Sequence, residues 1–303
     1  ATPKVSADGR FVAFSSRATD LVSGDSNSQD DIFVYDSVTK AIERVSVSSA
    51  GVQANFASFN PSISADGRYV AFESEASNLV PGDSNGQTDR SAGVDIFVYD
   101  RKNKTIERVS LTQNGEQVNQ ASRRPSISGD GRYVAFYSGG NNLISGFKSG
   151  QVNVYVRDRI ANTIVGASVP YSVIPSNRTS LNPVISEDGN FVAFEFTASL
   201  NDGNRSFSYR DIYLFNRVTL AVERLTGTKV GIEADRTDSR LPSISADGRF
   251  VAFQSTAPDL DFFDVNGRAD VFVYDRITGI TRRVSAGPTG VEQLFEDSIN
   301  PSI

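Results

Sequence analysis

Apolar residues fall along this chain in short runs of three or four, and the runs come in two kinds. The first kind is Phe or Tyr followed by Val-Ala-Phe: Phe11 to Phe14, Tyr69 to Phe72, Tyr133 to Phe136, Phe191 to Phe194 and Phe250 to Phe253. The second is Ile32 to Tyr35, with Ile96 to Tyr99, Val154 to Val156, Ile212 to Phe215 and Val271 to Tyr274. Runs of this length read as strands, and apolar side chains on consecutive residues require cover on both faces. Before each run of the first kind stands a short strand-like segment, Pro-Ser-Ile-Ser in three of its copies, with Pro at its head where no ladder donor is needed. An Asp-Gly turn joins the two (Asp8-Gly9, Asp66-Gly67, Asp130-Gly131, Asp188-Gly189, Asp247-Gly248), the strongest short-range hairpin signal. A fourth segment alternates apolar and charged residues: Ile42 to Val45, Ile106 to Val109, Val222 to Leu225 and Thr281 to Val284. That alternation suits an outer edge strand, whose charges guard it against pairing with other chains. The third copy, Thr163 to Gly166, is degenerate.

The four segments form one unit. It begins at Pro3, Pro61, Pro125, Pro183 and Pro242, and starts again at Pro301, at spacings of 58 to 64 residues. Such a period means modules that hide their apolar faces only against one another. The predicted fold is an all-β, five-bladed β-propeller of four-stranded antiparallel blades. It is expected as one domain over 1–303, with blades at about 3–60, 61–124, 125–182, 183–241 and 242–300, and 301–303 as a surplus first strand. Part of a larger propeller of six or more blades is the alternative. Antiparallel order puts the two tight turns at one end of the blades and the two long connections at the other. Function concentrates on long loops held by rigid scaffolds, so the long-loop end is the expected binding face.

Composition narrows the chemistry. The chain has no His and no Cys, which excludes imidazole acid–base catalysis, Ser-His-Asp triads, thiolate or imidazole zinc sites and disulfides. Net charge is −6, and Lys and Arg form no basic stripe, so no nucleic-acid partner is expected. No apolar run approaches the ~20 residues of a membrane span. With Ala at position 1 and no Met, the chain reads as a processed product or an excised domain. The acidic, Cys-free, Ser/Asn/Gly-rich surface suits a secreted, extracellular or periplasmic bacterial protein.

The segment Pro61-Ser-Ile-Ser-Ala-Asp-Gly-Arg-Tyr-Val-Ala-Phe72, followed by Asp95-Ile-Phe-Val-Tyr-Asp-Arg101, resembles the WD40-like PD40 repeat of TolB-type β-propellers. The resemblance runs through all five repeats. It implies a propeller used mainly for protein or ligand binding; some relatives gate peptidases. The family's Trp near the repeat start is replaced by Val5, Ile63, Ile127, Ile185 and Ile244, and the repeats are longer, with the excess in the two long loops. Ser-x-Asp-Gly is also similar to the sialidase Asp-box, but Gly directly follows Asp here, so sialidase activity is not carried over.

Several stretches carry candidate chemistry. Before the third strand lie Asp25-Ser-Asn27 with Asp31, Asp83-Ser-Asn85 with Asp89, and Asp264-Val-Asn266 with Asp270. Side-chain oxygens at alternate positions round a bend are what Ca²⁺ asks for, and Ca²⁺ is the one cofactor expected. The same residues equally build Asx turns. At the fourth-strand exit, Gly51-Val-Gln53-Ala-Asn55 and its copies read as a repeated loop whose amides serve backbone groups. The Asp that closes the third strand (Asp36, Asp100, Asp158, Asp275) reads as a turn cap. Phe262 and Phe263 offer a contact patch or pack into the core. Ile299, Pro301 and Ile303 repeat a first strand, and the tail either marks a boundary or pairs by β-augmentation, giving a homo-oligomer.

These readings favour a non-enzymatic extracellular binding or scaffold propeller for a protein or carbohydrate ligand. The rivals are a structural subunit polymerising through its tail, and a carboxylate-dependent hydrolase or lyase.

Overall fold

The computed structural model describes residues 3–85, 93–145, 151–168, 178–201, 206–226, 238–258, 260–261, 267–286 and 297–303. Among the described residues twenty strands form five four-stranded antiparallel sheets, each a simple meander. Blade one holds Lys4–Val5, Phe11–Ser16, Asp31–Asp36 and Ile42–Arg44. Blade two holds Ser58–Ile63, Tyr69–Ser74, Asp95–Asp100 and Thr105–Arg108. Blade three holds Ser122–Ile127, Tyr133–Ser138, Asn153–Asp158 and Thr163–Gly166. Blade four holds Arg178–Ile185, Phe191–Asn201, Ser206–Asn216 and Val222–Arg224, and blade five Ser239–Ile244, Phe250–Ser255, Asp270–Asp275 and Ile280–Arg283. The chain divides into two compact units, Ala1–Gly150 with Tyr155–Gly166, and Gln151–Val154 with Ala167–Ile303. Among the described residues no helix is long and apolar enough to cross a membrane.

The inner strands are buried as their consecutive apolar residues require. All six residues of Asp95–Asp100 are buried. Inside every blade an aromatic pair stands opposite across the second and third strands. Phe14 with Phe33, Phe72 with Phe97, Phe136 with Tyr155, Phe194 with Tyr213 and Phe253 with Phe272 have ring centroids 5.8 to 6.1 Å apart. Each fully buried Phe contributes ~1.5–3 kcal/mol of transfer free energy, so the repeated pair anchors each blade.

Two expectations are corrected. The first strands of blades two to five start before their proline. Asn60, Arg124, Asn182 and Leu241 take φ of +47 to +55°, and the register shifts there. The following Pro therefore sits at a bulge, where a missing N–H costs no ladder bond, rather than at the strand's head. In blade four the long connection between strands two and three is absent. Those strands run eleven residues each and pair from Phe191↔Asn216 to Asn201↔Ser206. The alternation of Thr197-Ala-Ser-Leu-Asn201 against Ser206-Phe-Ser-Tyr-Arg210 extends the hairpin.

The Asp-Gly turn also docks one blade on the next. In blade two, Ser64 Oγ accepts from the Tyr69 amide and donates to Asp66, whose carboxylate caps the Arg68 amide. Gly67 has φ +72°, and a Cβ there would lie 2.2 Å from Cδ2 of Phe11 in blade one. Gly131 meets Tyr69 in the same way at 2.1 Å. Arg101 of blade two also lies over the Phe11 ring, 4.4 Å from its centroid, as Arg10 does at 4.8 Å. Tyr69 likewise has Arg68 and Arg159 over its ring.

Candidate functional site

At the long-loop end of blade two the chain buries four charged or amide side chains together. Asp95 opens the third strand and is fully buried. Its Oδ1 accepts from the Ser110 hydroxyl at 2.6 Å, and Ser110 Oγ accepts from the Ile96 amide. Arg108, on the fourth strand, reaches both Asp83 Oδ1 at 3.1 Å and Asp95 Oδ2 at 3.4 Å. Gln117, from the exit loop, donates Nε2 to Asp83 at 2.9 Å and to Asp95 at 3.3 Å. Blade one repeats the set. Arg44 lies 3.6 Å from Asp25 and 3.8 Å from Asp31, and Gln53 donates to both carboxylates at 2.8 and 2.9 Å.

One guanidinium thus stands between two carboxylates. Burial, with Asp95 close by, pushes Asp83 up to about 6, and burial likewise raises Asp31 and Asp95. Arg108 and the Gln117 amide offset part of that cost.

The network joins two stretches that the sequence treats separately, the Asp-x-Asn loop and the fourth-strand exit. Asn27 builds an Asx turn, its Oδ1 accepting from the Gln29 amide, while its Nδ2 donates to Asp31 and to the Ala54 carbonyl. Asp25, Asn27, Asp31, Asp83, Asn85 and Asp270 are described; Asp89, Asp264 and Asn266 lie outside the described residues, as do Phe262 and Phe263. After the insertion in repeat two, the partner of Asp83 is Asp95, which the spacing did not single out. In blade five Arg283 pairs with Asp261 at 3.0 Å and Asp270 at 3.5 Å. Among the described residues no three carboxylates converge as a metal-ligating group.

The exit amides then stitch blade to blade. The Asn55 backbone amide donates to Asn78 Oδ1, and Asn78 Nδ2 donates to the Gln53 carbonyl. Asn119, Asn141 and Asn142 repeat this between blades two and three. The third-strand Asp is a turn cap, as expected: Asp100 accepts from the Lys102 and Asn103 amides. It is also an ion-pair partner. Arg68 meets it bidentately at 3.0 and 2.6 Å, as Arg10 meets Asp36, Arg132 Asp158 and Arg249 Asp275.

The tail occupies the first-strand position beside blade five. Ser298 donates to the Ala269 carbonyl as Ser122 does to Val94, and the Ile303 amide donates to Ser243 Oγ as Ile127 does to Ser62. Asn300 repeats the bulge at φ +59°. Ile299 and Ile303 remain 55% and 50% exposed, and Pro301 is half-buried.

The fold has relatives among solved structures. A TolB-type protein from Agrobacterium tumefaciens aligns over 93% of this chain and 79% of its own, at TM-score 0.51 and 16% identity. An acylaminoacyl peptidase from Pyrococcus horikoshii aligns over 94% of this chain, at TM-score 0.53 and 15% identity. The fold is an all-β propeller of five four-stranded blades. The chain spans 39% of that peptidase's length. At these identities the likeness is one of fold. No protein-family model matches the sequence, and no curated protein matches it either.

Proposed function

We propose that this propeller is a non-enzymatic binding scaffold working outside the cytoplasm, which presents the long-loop end of its blades to a protein or carbohydrate partner. The observation that carries this reading is how the loop-end carboxylates are used. Asp25, Asp31, Asp83 and Asp95 each face a guanidinium and a glutamine amide. Groups held this way stiffen the loops into a platform, and in this reading Arg44 and Arg108 occupy the place that Ca²⁺ would take. Placement outside the cytoplasm rests on the acidic, Cys-free composition.

Two experiments test it. Simple ester, glycoside and peptide substrates are offered to the wild type, Asp31→Asn and Asp83→Asn; turnover that either variant abolishes refutes the scaffold. Binding is then sought on arrays of glycans and secreted proteins with the wild type and a variant carrying Ser23→Lys and Ser84→Lys, both exposed on the long connections before the third strands of blades one and two. A ligand that both bind equally refutes the loop end as the binding face.

The tail supports a second reading, a subunit joined to its neighbours by strand exchange. Its backbone makes the contacts of a first strand, yet among the described residues it has no second strand beside it. Removing 299–303 and finding the same elution volume on a sizing column rejects that reading.

A further inference from the structure

Blade three breaks the repeat at one buried position. The fifth residue of its third strand is Arg157, where the other blades have Tyr35, Tyr99, Phe215 and Tyr274. Arg157 is only 4% exposed. Its Nη1 donates to the carbonyls of Leu111 and Thr112 at 3.3 and 3.4 Å, and its Nη2 to Asn162 Oδ1. None of these acceptors is a carboxylate, so every hydrogen bond of this buried cation goes to a neutral group. Leaving a charge so is costly unless a counter-ion completes it.

The side chain borders a cavity of about 360 Å³ inside the first unit, within the range of small-ligand pockets. Charges round it can be counted. Arg159 is matched by Glu107, to which its Nε donates at 2.7 Å. Arg108 faces Asp83 and Asp95, but its buried Nε has no hydrogen-bond partner. Among the described residues Arg157 has no carboxylate within ion-pair distance; Glu107 and Asp158 act on it only from farther off. Val80, Pro81, Val109 and Leu111 give the cavity an apolar wall.

We propose that this cleft is a binding site for a small organic monoanion, whose carboxylate pairs with Arg157 and accepts from Arg108 Nε while its body lies on the apolar wall. The site is lined by blades two and three and shares Arg108 with the loop-end network.

The test uses the whole chain. Acetate and glucuronate are titrated against acetamide and glucose at fixed ionic strength, with melting temperature and calorimetric heat as readouts. The variants are Arg157→Tyr, which restores the residue of three other blades, and Arg157→Gln. The carboxylates should raise Tm where the neutral analogues do not, and both variants should lose about tenfold or more in affinity, as charge-assisted hydrogen bonds imply. A circular-dichroism spectrum unchanged in Arg157→Tyr shows that the blade still folds. Equal shifts with acetamide, no carboxylate response, or a response that survives in both variants overturns the proposal and leaves Arg157 as a clamp on its two carbonyls.

Discussion

Gly67→Ala and Gly9→Ala make the same chemical change at the same φ of +72°, but only one has a neighbour. At Gly9 a Cβ meets nothing within 4 Å, so the cost is that of a left-handed L-residue, about 1–2 kcal/mol. At Gly67 it would lie 2.2 Å from Phe11 Cδ2 and 2.7 Å from Cγ. The ring has little room to retreat, because Arg10 and Arg101 lie over it at 4.8 and 4.4 Å. Overpacking of this kind adds ~1–3 kcal/mol, giving about 2–5 kcal/mol in all. Urea unfolding followed by circular dichroism and Tyr fluorescence reads both costs. Phe11→Ala completes a double-mutant cycle: in that background the cost of Gly67→Ala should fall to that of Gly9→Ala. Equal costs for the two glycines in the wild-type background would refute blade-to-blade docking through this turn.

Three further outcomes are expected. Arg68→Gln should destabilise by about 0.5–2 kcal/mol, since it strands the mostly buried Asp100, whose carboxyl Arg68 holds below the usual range; Arg68→Asn with Asp100→Asn, which copies Asn190 and Asn216 of blade four, should recover part of the loss by thermal melting. Asp83 binds its proton more tightly folded than unfolded, so its contribution to stability is whole below pH 3.8 and is lost as pH rises to about 6, a fall of at most about 3 kcal/mol; Asp83→Asn should remove that component from a pH series of urea midpoints, and an unchanged slope refutes it. If Arg44 and Arg108 stand where Ca²⁺ would, chelator should leave Tm unmoved, and a fall of several degrees reversed by added Ca²⁺ would sink that reading.

The strands, their order and the five-fold repeat were legible because they rest on local signals: apolar runs, Asp-Gly turns and an alternating fourth segment. The partners of the charged side chains were not. Asp-x-Asn has one local geometry whether it faces a cation or caps its own turn. The residue that decides, Arg44 or Arg108, lies on a later strand and meets it only through sheet register, opposite Phe33 or Phe97. The proline misled because a bulge depends on φ at the preceding residue, and Asn, Arg and Leu all fill that position. One signal for these partners does stand in the sequence. In blade three the Asp that opens the third strand becomes Asn153 and the fourth-strand Arg becomes Gly166; in blade four the turn Arg and its Asp become Asn190 and Asn216. Charges that vanish in pairs mark partners without any coordinates.

The covering of Phe11 and Tyr69 has a direction in time. The groups that close over Phe11, Gly67 and Arg101, belong to a blade synthesised after it, and Gly131 and Arg159 stand in the same relation to Tyr69. On a ribosome a module would therefore wait, one greasy ring uncovered, until its successor emerged, and the nascent chain would mature in steps of one module.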